Sequence, residues 1–440
     1  MSPVNSGGHT AYQTFVLENL RKYYPDPTVF AKSTWDIIER FWNLDLSYTD
    51  ELLRSKYSVF GPKPRTPSCM QRSYLLSIDF KVHSLTDWAA QLKINPLYAI
   101  LSGFQFGDTP GVGTFYDFLD RLWDSDSDNL SPHIHPIKKK KVKKPKQKGD
   151  KAEPIEKVTV EQLFQSMEYS SFSIDEQPYT SLFKIYDHEF LSISISKGLI
   201  DISNLSIAGD GMPVTTSARE RKHRICECSK NRITSCHCDR YFSQPDCDIG
   251  YDSSRECFYH GYHLYILVAA NSESDLPLFP LFTPASKHDS HGFLEAFTIG
   301  KDGVPICKAG RKMNHGGSEP SKTRLKFRCP LASRKYGCSC STPCSDSKYG
   351  RTVHFAMKDN PRLINFPPRD SEEWKLEYNA RTSAERSNKR EKIDFQLESG
   401  RHRSTKMWYC RLYHILMLQH LDVWDLPFES TLAKLILNVA

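Results

Sequence analysis

The run Asn204-Leu205-Ser206-Ile207-Ala208-Gly209-Asp210 has the composition of a buried strand, yet it closes on a carboxylate and is followed by Gly211 and Pro213, a pair that stops a strand. A carboxylate at the end of a buried strand is costly unless it meets a cation or a hydrogen-bond donor. Asp210 is therefore a candidate cation ligand at the end of the first strand. A second strand is expected at Tyr262 to Val268 and a third at Leu276 to Thr283.

A complementary set of residues lies far downstream, in Y-N-A-R-T-S-A-E-R-S-N-K-R-E-K, where Tyr378, Arg381, Glu385 and Lys392 stand at offsets of zero, three, seven and fourteen. On one continuous helix these fall within an arc of roughly 60°, so a phenol, a guanidinium, a carboxylate and an ammonium share a stripe. Such a stripe can hold a metal and a phosphodiester together. The same residues also suit an exposed surface helix with charge pairs four apart.

The Y-x2-R-x3-E-x6-K pattern, after an upstream strand ending in Asp and a second apolar strand, resembles the DDE transposases of bacterial and archaeal insertion sequences. The resemblance covers roughly residues 200 to 425, with a weaker echo in the helical N-terminal third. It implies an α/β, RNase H-like core with a mixed sheet, in which two Asp and one Glu hold two divalent ions, Mg²⁺ or Mn²⁺, for in-line phosphoryl transfer. Carried over by motif, Asp210 is the first catalytic carboxylate and Glu385 the last. Tyr378, Arg381 and Lys392 then contact DNA phosphates, the Arg as a bidentate fork and the Lys as a point charge. The implied partners are double-stranded DNA, as terminal inverted repeats and target, and a second copy in a synaptic complex. The implied location is the nucleoid of a prokaryotic cytoplasm.

One element of the pattern is missing. After the third strand come Lys287-His288-Asp289 and the patch Gly292 to Phe297, and only three residues separate Phe297 from Lys301-Asp302-Gly303. No apolar strand ending in Asp fits there, as though a strand-helix unit were deleted near Phe297 and Thr298. Asp289 and Asp302 are the nearest stand-ins, and both read as turn residues. The expectation is a defective copy that keeps DNA binding.

Cysteine usage supplies a second signal. Of thirteen Cys, eleven lie between Cys226 and Cys344. The pairs Cys226-x-Cys228 and Cys236-x-Cys238 are candidate ligands of a structural Zn²⁺ in a hairpin joining the first two strands, with His237 as a substitute. Cys329, Cys338, Cys340 and Cys344 form a weaker candidate set, against which stand free buried thiols. The chain shows no signal peptide and no apolar stretch of about eighteen residues, so metal binding is preferred to disulfides and a membrane partner is excluded.

The formal charge of +7 permits nucleic acid binding. Eight lysines between Lys138 and Lys148, flanked by Asp124 to Asp128 and by Gly149 to Pro154, read as a disordered linker or a tether to DNA backbone. This divides the chain into a helical N-terminal DNA-binding domain (1–124), the linker (125–156), a bridging segment (157–199) and the catalytic domain (200–440), with Cys-rich insertions at 217–260 and 325–348. In the first domain Ser84 to Asp87 resembles a capping box and Thr114 to Asp117 a second cap, while Pro96 interrupts the first helix; the two helices suit a helix-turn-helix. Val158 to Met167 has a helical pattern, Leu182 to Ile195 suits helix or strand, and Met407 to Val423 reads as a buried helix with Cys410, Tyr413 and His414 in the core. No P-loop, Rossmann glycine pattern or nucleophile elbow occurs, which argues against nucleotide chemistry. Beside a transposase, two readings stay open: a zinc-containing DNA-binding protein without catalysis, and a metal-dependent nuclease outside transposition.

Overall fold

A computed structural model describes residues 8–58, 60–130, 174–218, 223–224, 228, 230–233, 240–241, 243–252, 254–286, 301–302, 314–319, 324–329, 331–333, 337–338, 352–356, 362–363, 371–400, 402–424 and 431–437. The chain divides into two compact units, one of residues 1–295 with 383–440, the other of residues 296–382. The lysine run, Val158 to Met167 and Asp289 lie outside the described residues.

In the larger unit seven helices come first: α1 (Gly8–Tyr23), α2 (Lys32–Asn43), α3 (Ser47–Leu53), α4 (Pro67–Asp79), α5 (Leu85–Ile94), α6 (Pro96–Ser102) and α7 (Val112–Arg121). The cap expected at Ser84 forms, its Oγ accepting from the Asp87 amide at 3.3 Å. Pro96 interrupts the helical pattern as expected: α5 ends at Ile94, and Pro96 opens α6 directly behind it, at a position where no N–H is needed, with Asn95 Oδ1 capping the Leu97 amide at 3.0 Å. Thr114, by contrast, is not a cap: α7 starts at Val112 with Gly111 as its N-cap. Leu182 to Ile195 resolves as helix, through α8 (Thr180–Tyr186), a π-turn at Asp187–Leu191 and α9 (Ser192–Ser196).

The sheet of this unit starts with β1 (Ile207–Thr215), and a hairpin of β2 (His223–Arg224) and β3 (Arg240–Tyr241) follows before β4 (Asp248–Asp252), β5 (Cys257–Ala269) and β6 (Pro277–Pro284). β5 is central, pairing antiparallel with β1 along one edge and with β6 and then β4 along the other. The mixed α/β class expected from the sequence holds, but this sheet is antiparallel throughout its described strands, not mixed.

The expected stop after Asp210 is also corrected, because β1 runs on through Gly211 and Pro213 to Thr215. The physical reason lies in the ladder. Thr216 donates to the His260 carbonyl at 3.0 Å, so by antiparallel alternation the even-numbered residues of β1 bond to β5 and the odd-numbered ones face its open edge. Pro213 is odd, and its missing N–H costs no ladder bond.

Behind the sheet, α12 (Thr405–Leu421; the helices at 372–379 and 382–389, described below, are α10 and α11) is buried along its length apart from Met407. Large apolar residues lie on every side of it, and Lys406, Arg411, His414, Gln419 and His420 are buried among them. Tyr409 meets Phe282 of β6 edge-on at 5.1 Å and its hydroxyl accepts from the Phe282 amide, while Tyr262 of β5 bonds Thr405 at 2.8 Å. The N-terminal helices and the sheet thus share one apolar core, built around α12. A last helix, α13 (Thr431–Leu437), follows.

The smaller unit contains β7 (Lys301–Asp302), an antiparallel sheet of β8 (Asn314–Glu319), β9 (Arg324–Arg328) and β12 (Thr352–Ala356), a short hairpin of β10 (Ala332–Ser333) and β11 (Gly337–Cys338), and β13 (Arg362–Leu363), parallel to β7. It ends with α10 (Glu372–Asn379), capped by Ser371, whose Oγ accepts from the Trp374 amide at 3.1 Å.

Candidate metal centre

The stripe from Tyr378 to Lys392 does not lie on one helix. α10 ends at Asn379, and α11 (Thr382–Lys389) begins after a break in which the Arg381 amide turns back to Tyr378 O and Thr382 Oγ1 bonds Asn379 O at 2.8 Å. Side-chain bonding of this kind competes with the helical ladder. A π-turn at Arg390–Asp394 then shifts the phase again before Lys392. The arc of roughly 60° expected from an unbroken helix is therefore not formed. Tyr378 and Arg381 belong to the smaller unit, where Tyr378 stacks on Trp374 at 4.5 Å and the Arg381 guanidinium lies 5.7 Å from the Tyr378 ring.

In the larger unit, α11 and its continuation run beside β1. Asn388 donates from Nδ2 to Asp210 Oδ2 at 3.3 Å, Lys392 Nζ donates to Pro213 O at 2.6 Å, and the Thr215 amide donates to Glu398 Oε1 at 2.8 Å. The three contacts ascend together along both segments, so the helix is set in register with the strand. Asp210 receives the partner that its place in the strand demands, and that partner is an amide from the helix carrying Glu385. Glu385 is exposed and sits one turn before Asn388, on the flank of α11 about 60° away. Next to Asp210, Gly209 makes room for Tyr265: a Cβ there would stand 2.1 Å from the Tyr265 hydroxyl on β5, and the ring would have to move.

The buried face of α11 is polar: Ser383, Ser387 and Asn388, then Glu391 in the π-turn. Burial pushes the Glu391 carboxyl up to about 8, against hydrogen bonds from Gln419 and Ser387, both at 3.1 Å to Oε1. Burial also lowers the Lys392 ammonium, opposed by Glu398 at 3.5 Å. With one donor on Pro213 O, Lys392 ties helix to strand here. Arg386 is bound by Asp275, with Nη2 to Oδ1 at 2.6 Å, so Asp275 is spent on a fork and adds no open carboxylate.

Among the described residues, no group of three or more His, Cys, Asp or Glu is placed to hold a metal, and no strand pairs with the edge of β1 opposite β5. Of the two stand-ins, Asp302 sits on β7 in the smaller unit and Asp289 is not described. Of the candidate zinc ligands, Cys226, Cys236, Cys238, Cys340 and Cys344 lie outside the described residues, and Cys338 is described only as backbone. Cys228 is half-buried and Cys329 buried, neither in a disulfide.

The sequence reading missed Asn388, Glu391 and Glu398. Its available signal was spacing, since Asn388 lies three residues beyond Glu385. A cavity of about 470 Å³ opens elsewhere in the unit, lined by Arg40, Tyr48, His188, Lys197 and Trp424 among others. Of its charged residues, Arg40 bonds Asp79 and Asp422, and Glu189 bonds Thr49. Among the described residues no helix is long and apolar enough to cross a membrane. No family model, curated protein or solved structure matches the chain.

Proposed function

We propose that this chain is a DNA-binding protein of the DDE transposase kind whose cation site is reduced to Asp210 and Glu385, so that strand cleavage and transfer at element ends is impaired. The observation that supports this most is the Asn388–Asp210 hydrogen bond, which sets the helix of Glu385 against the strand of Asp210. Two residues far apart in sequence, chosen for their motif, lie on elements that the fold puts side by side. Held there, a divalent ion would supply Lewis-acid charge at a phosphodiester. Tyr378 and Arg381 are assigned to DNA phosphates on the resemblance, whereas Lys392, which the resemblance also assigns there, is held inside the fold on Pro213 O and beside Glu398; the lysine run is assigned to non-specific backbone contact.

The test is a strand-cleavage assay on the terminal inverted repeats flanking the coding region, with Mg²⁺ or Mn²⁺, beside a binding assay on the same DNA. Retained binding with little or no cutting is expected. Robust metal-dependent cutting at the ends would overturn the impaired site, cutting without preference for ends would point to a nuclease, and loss of specific binding would end the transposase reading.

A further inference from the structure

We propose that the cavity bounded by α2, α3, the π-turn after α8 and the end of α12 binds a small flat molecule, an aromatic ring carrying one anionic group. Its walls belong to the larger unit, and the inference does not depend on the cation site at Asp210.

Size and surface carry the first half of it. At about 470 Å³ the cavity falls in the range of small-molecule sites, roughly 300–1,000 Å³. Tyr48, His188 and Trp424 line it with rings, and Ile193 and Leu421 add aliphatic surface. The rings are held by the protein itself. Tyr48 stacks on His188 with centroids 3.9 Å apart and planes at 14°, and Trp424 stacks on Phe190 at 5.8 Å while its indole N–H donates to Ser194 Oγ at 2.9 Å. Rings fixed in advance lose little freedom when another ring packs against them. His188 and Glu189 stand in the π-turn, and turns of that kind recur at functional sites.

Charge carries the second half. The charged groups of the lining are Arg40, Asp45, Glu189 and Lys197. Three of them are engaged: Arg40 with Asp79 at 3.0 Å and with Asp422, Asp45 with the Ser47 amide at 2.9 Å and its hydroxyl at 2.6 Å, and Glu189 with Thr49. Burial also raises Glu189 to about 8, so at neutral pH it is protonated and adds no negative charge. Among the described residues the Lys197 ammonium has no hydrogen bond or ion pair; it lies over the Trp424 ring, with Nζ 5.8 Å from the centroid. A ring resting near Trp424 would thus hold an anionic substituent beside a positive charge that the fold leaves unspent. A cationic ligand would meet Lys197 and Arg40 together, with only Asp45 to oppose them.

The experiment is isothermal titration calorimetry of the full-length protein at neutral pH and low salt, with indole acetate, its neutral amide and the cationic tryptamine, and with adenosine monophosphate against adenosine. The titrations are repeated on Lys197→Gln and on Ile193→Trp, which fills the cavity from an exposed position, each checked by thermal melting. At least one of the two anions is expected to bind with a Kd below about 1 mM, about fivefold or more tighter than its neutral counterpart, and Lys197→Gln is expected to abolish that preference. Ile193→Trp is expected to weaken binding about tenfold or more. Binding of indole acetate alone would assign a carboxylate, and of adenosine monophosphate alone a phosphate. Absence of binding by both anions, tryptamine binding as tightly as indole acetate, or a preference that survives in a folded Lys197→Gln would overturn the inference. Unchanged affinity in a folded Ile193→Trp would put the ligand elsewhere and overturn it too.

Discussion

Two helices of the larger unit, α12 and α11, handle buried polar groups in opposite ways. α12 buries Lys406, Arg411, His414, Gln419 and His420, and each finds partners within the protein. Lys406 bonds Asp120 and Asp128, and Arg411 reaches the carbonyls of Phe395, Gln396 and Leu397. His414 bonds Cys410 O and Gln71, and His420 lies among Tyr186, Ser194 and Pro277 O. Only the Tyr413 hydroxyl of α12 is left over. The shorter α11 segment, by contrast, leaves Asn388 Oδ1 and Glu391 Oε2 unsatisfied within a few residues of each other. Open buried groups also occur in the core, at Arg72 and Tyr74 of α4, so what sets α11 apart is that its two open acceptors lie on a short segment that also carries the exposed Glu385.

The comparison breaks first at the core. Trp408 is fully buried, with its indole N–H on Gln244 at 3.0 Å, and Trp408→Ala should cost about 3–5 kcal/mol in denaturant unfolding. A loss under about 1 kcal/mol would mean that α12 is not the pillar described.

Buried carboxyls sharpen the contrast. Glu189, in the π-turn after α8, gives both oxygens to Thr49, to the amide at 2.8 Å and the hydroxyl at 2.7 Å, yet burial pushes it up to about 8. Its folded pKa exceeds the unfolded one, so the folded chain binds the proton more tightly. That stability is complete below about 4.5 and is lost as pH rises through about 8. Glu189→Gln should flatten the fall in stability between pH 5 and 8 by more than about 1 kcal/mol, as read from melts across that range. Identical pH profiles for the two proteins would refute the assignment.

The smallest effect is expected at Glu385. Exposed on α11, it should change unfolding free energy by less than about 0.5 kcal/mol when replaced by Ala. A larger loss would make Glu385 a structural residue and blur the distinction between the helices.

What could be read from residue order follows the same division. Met407 to Val423 reads as a buried helix because large apolar residues dominate it, and α12 occupies Thr405–Leu421. The strands at Tyr262 to Val268 and Leu276 to Thr283 were legible for the same reason, apart from their ends. The passage of β1 through Pro213 was not, because whether proline is tolerated depends on which edge of a strand is open, a property of the sheet and not of the strand. The break at Ala380 and Arg381 was hidden by a helical pattern on both sides of it. Asn388 went unnoticed because an amide between charged residues reads as solvated surface, and only its 8% exposure reveals otherwise.

The open side of β1 has one more consequence. An unpaired strand margin is a template onto which other chains can add. Here Lys392 and Glu398 occupy the carbonyl of Pro213 and the amide of Thr215, two groups that an incoming backbone would need. Among the described residues no strand lies on that edge, and the ammonium and carboxylate take up there the backbone groups that an added strand would pair with.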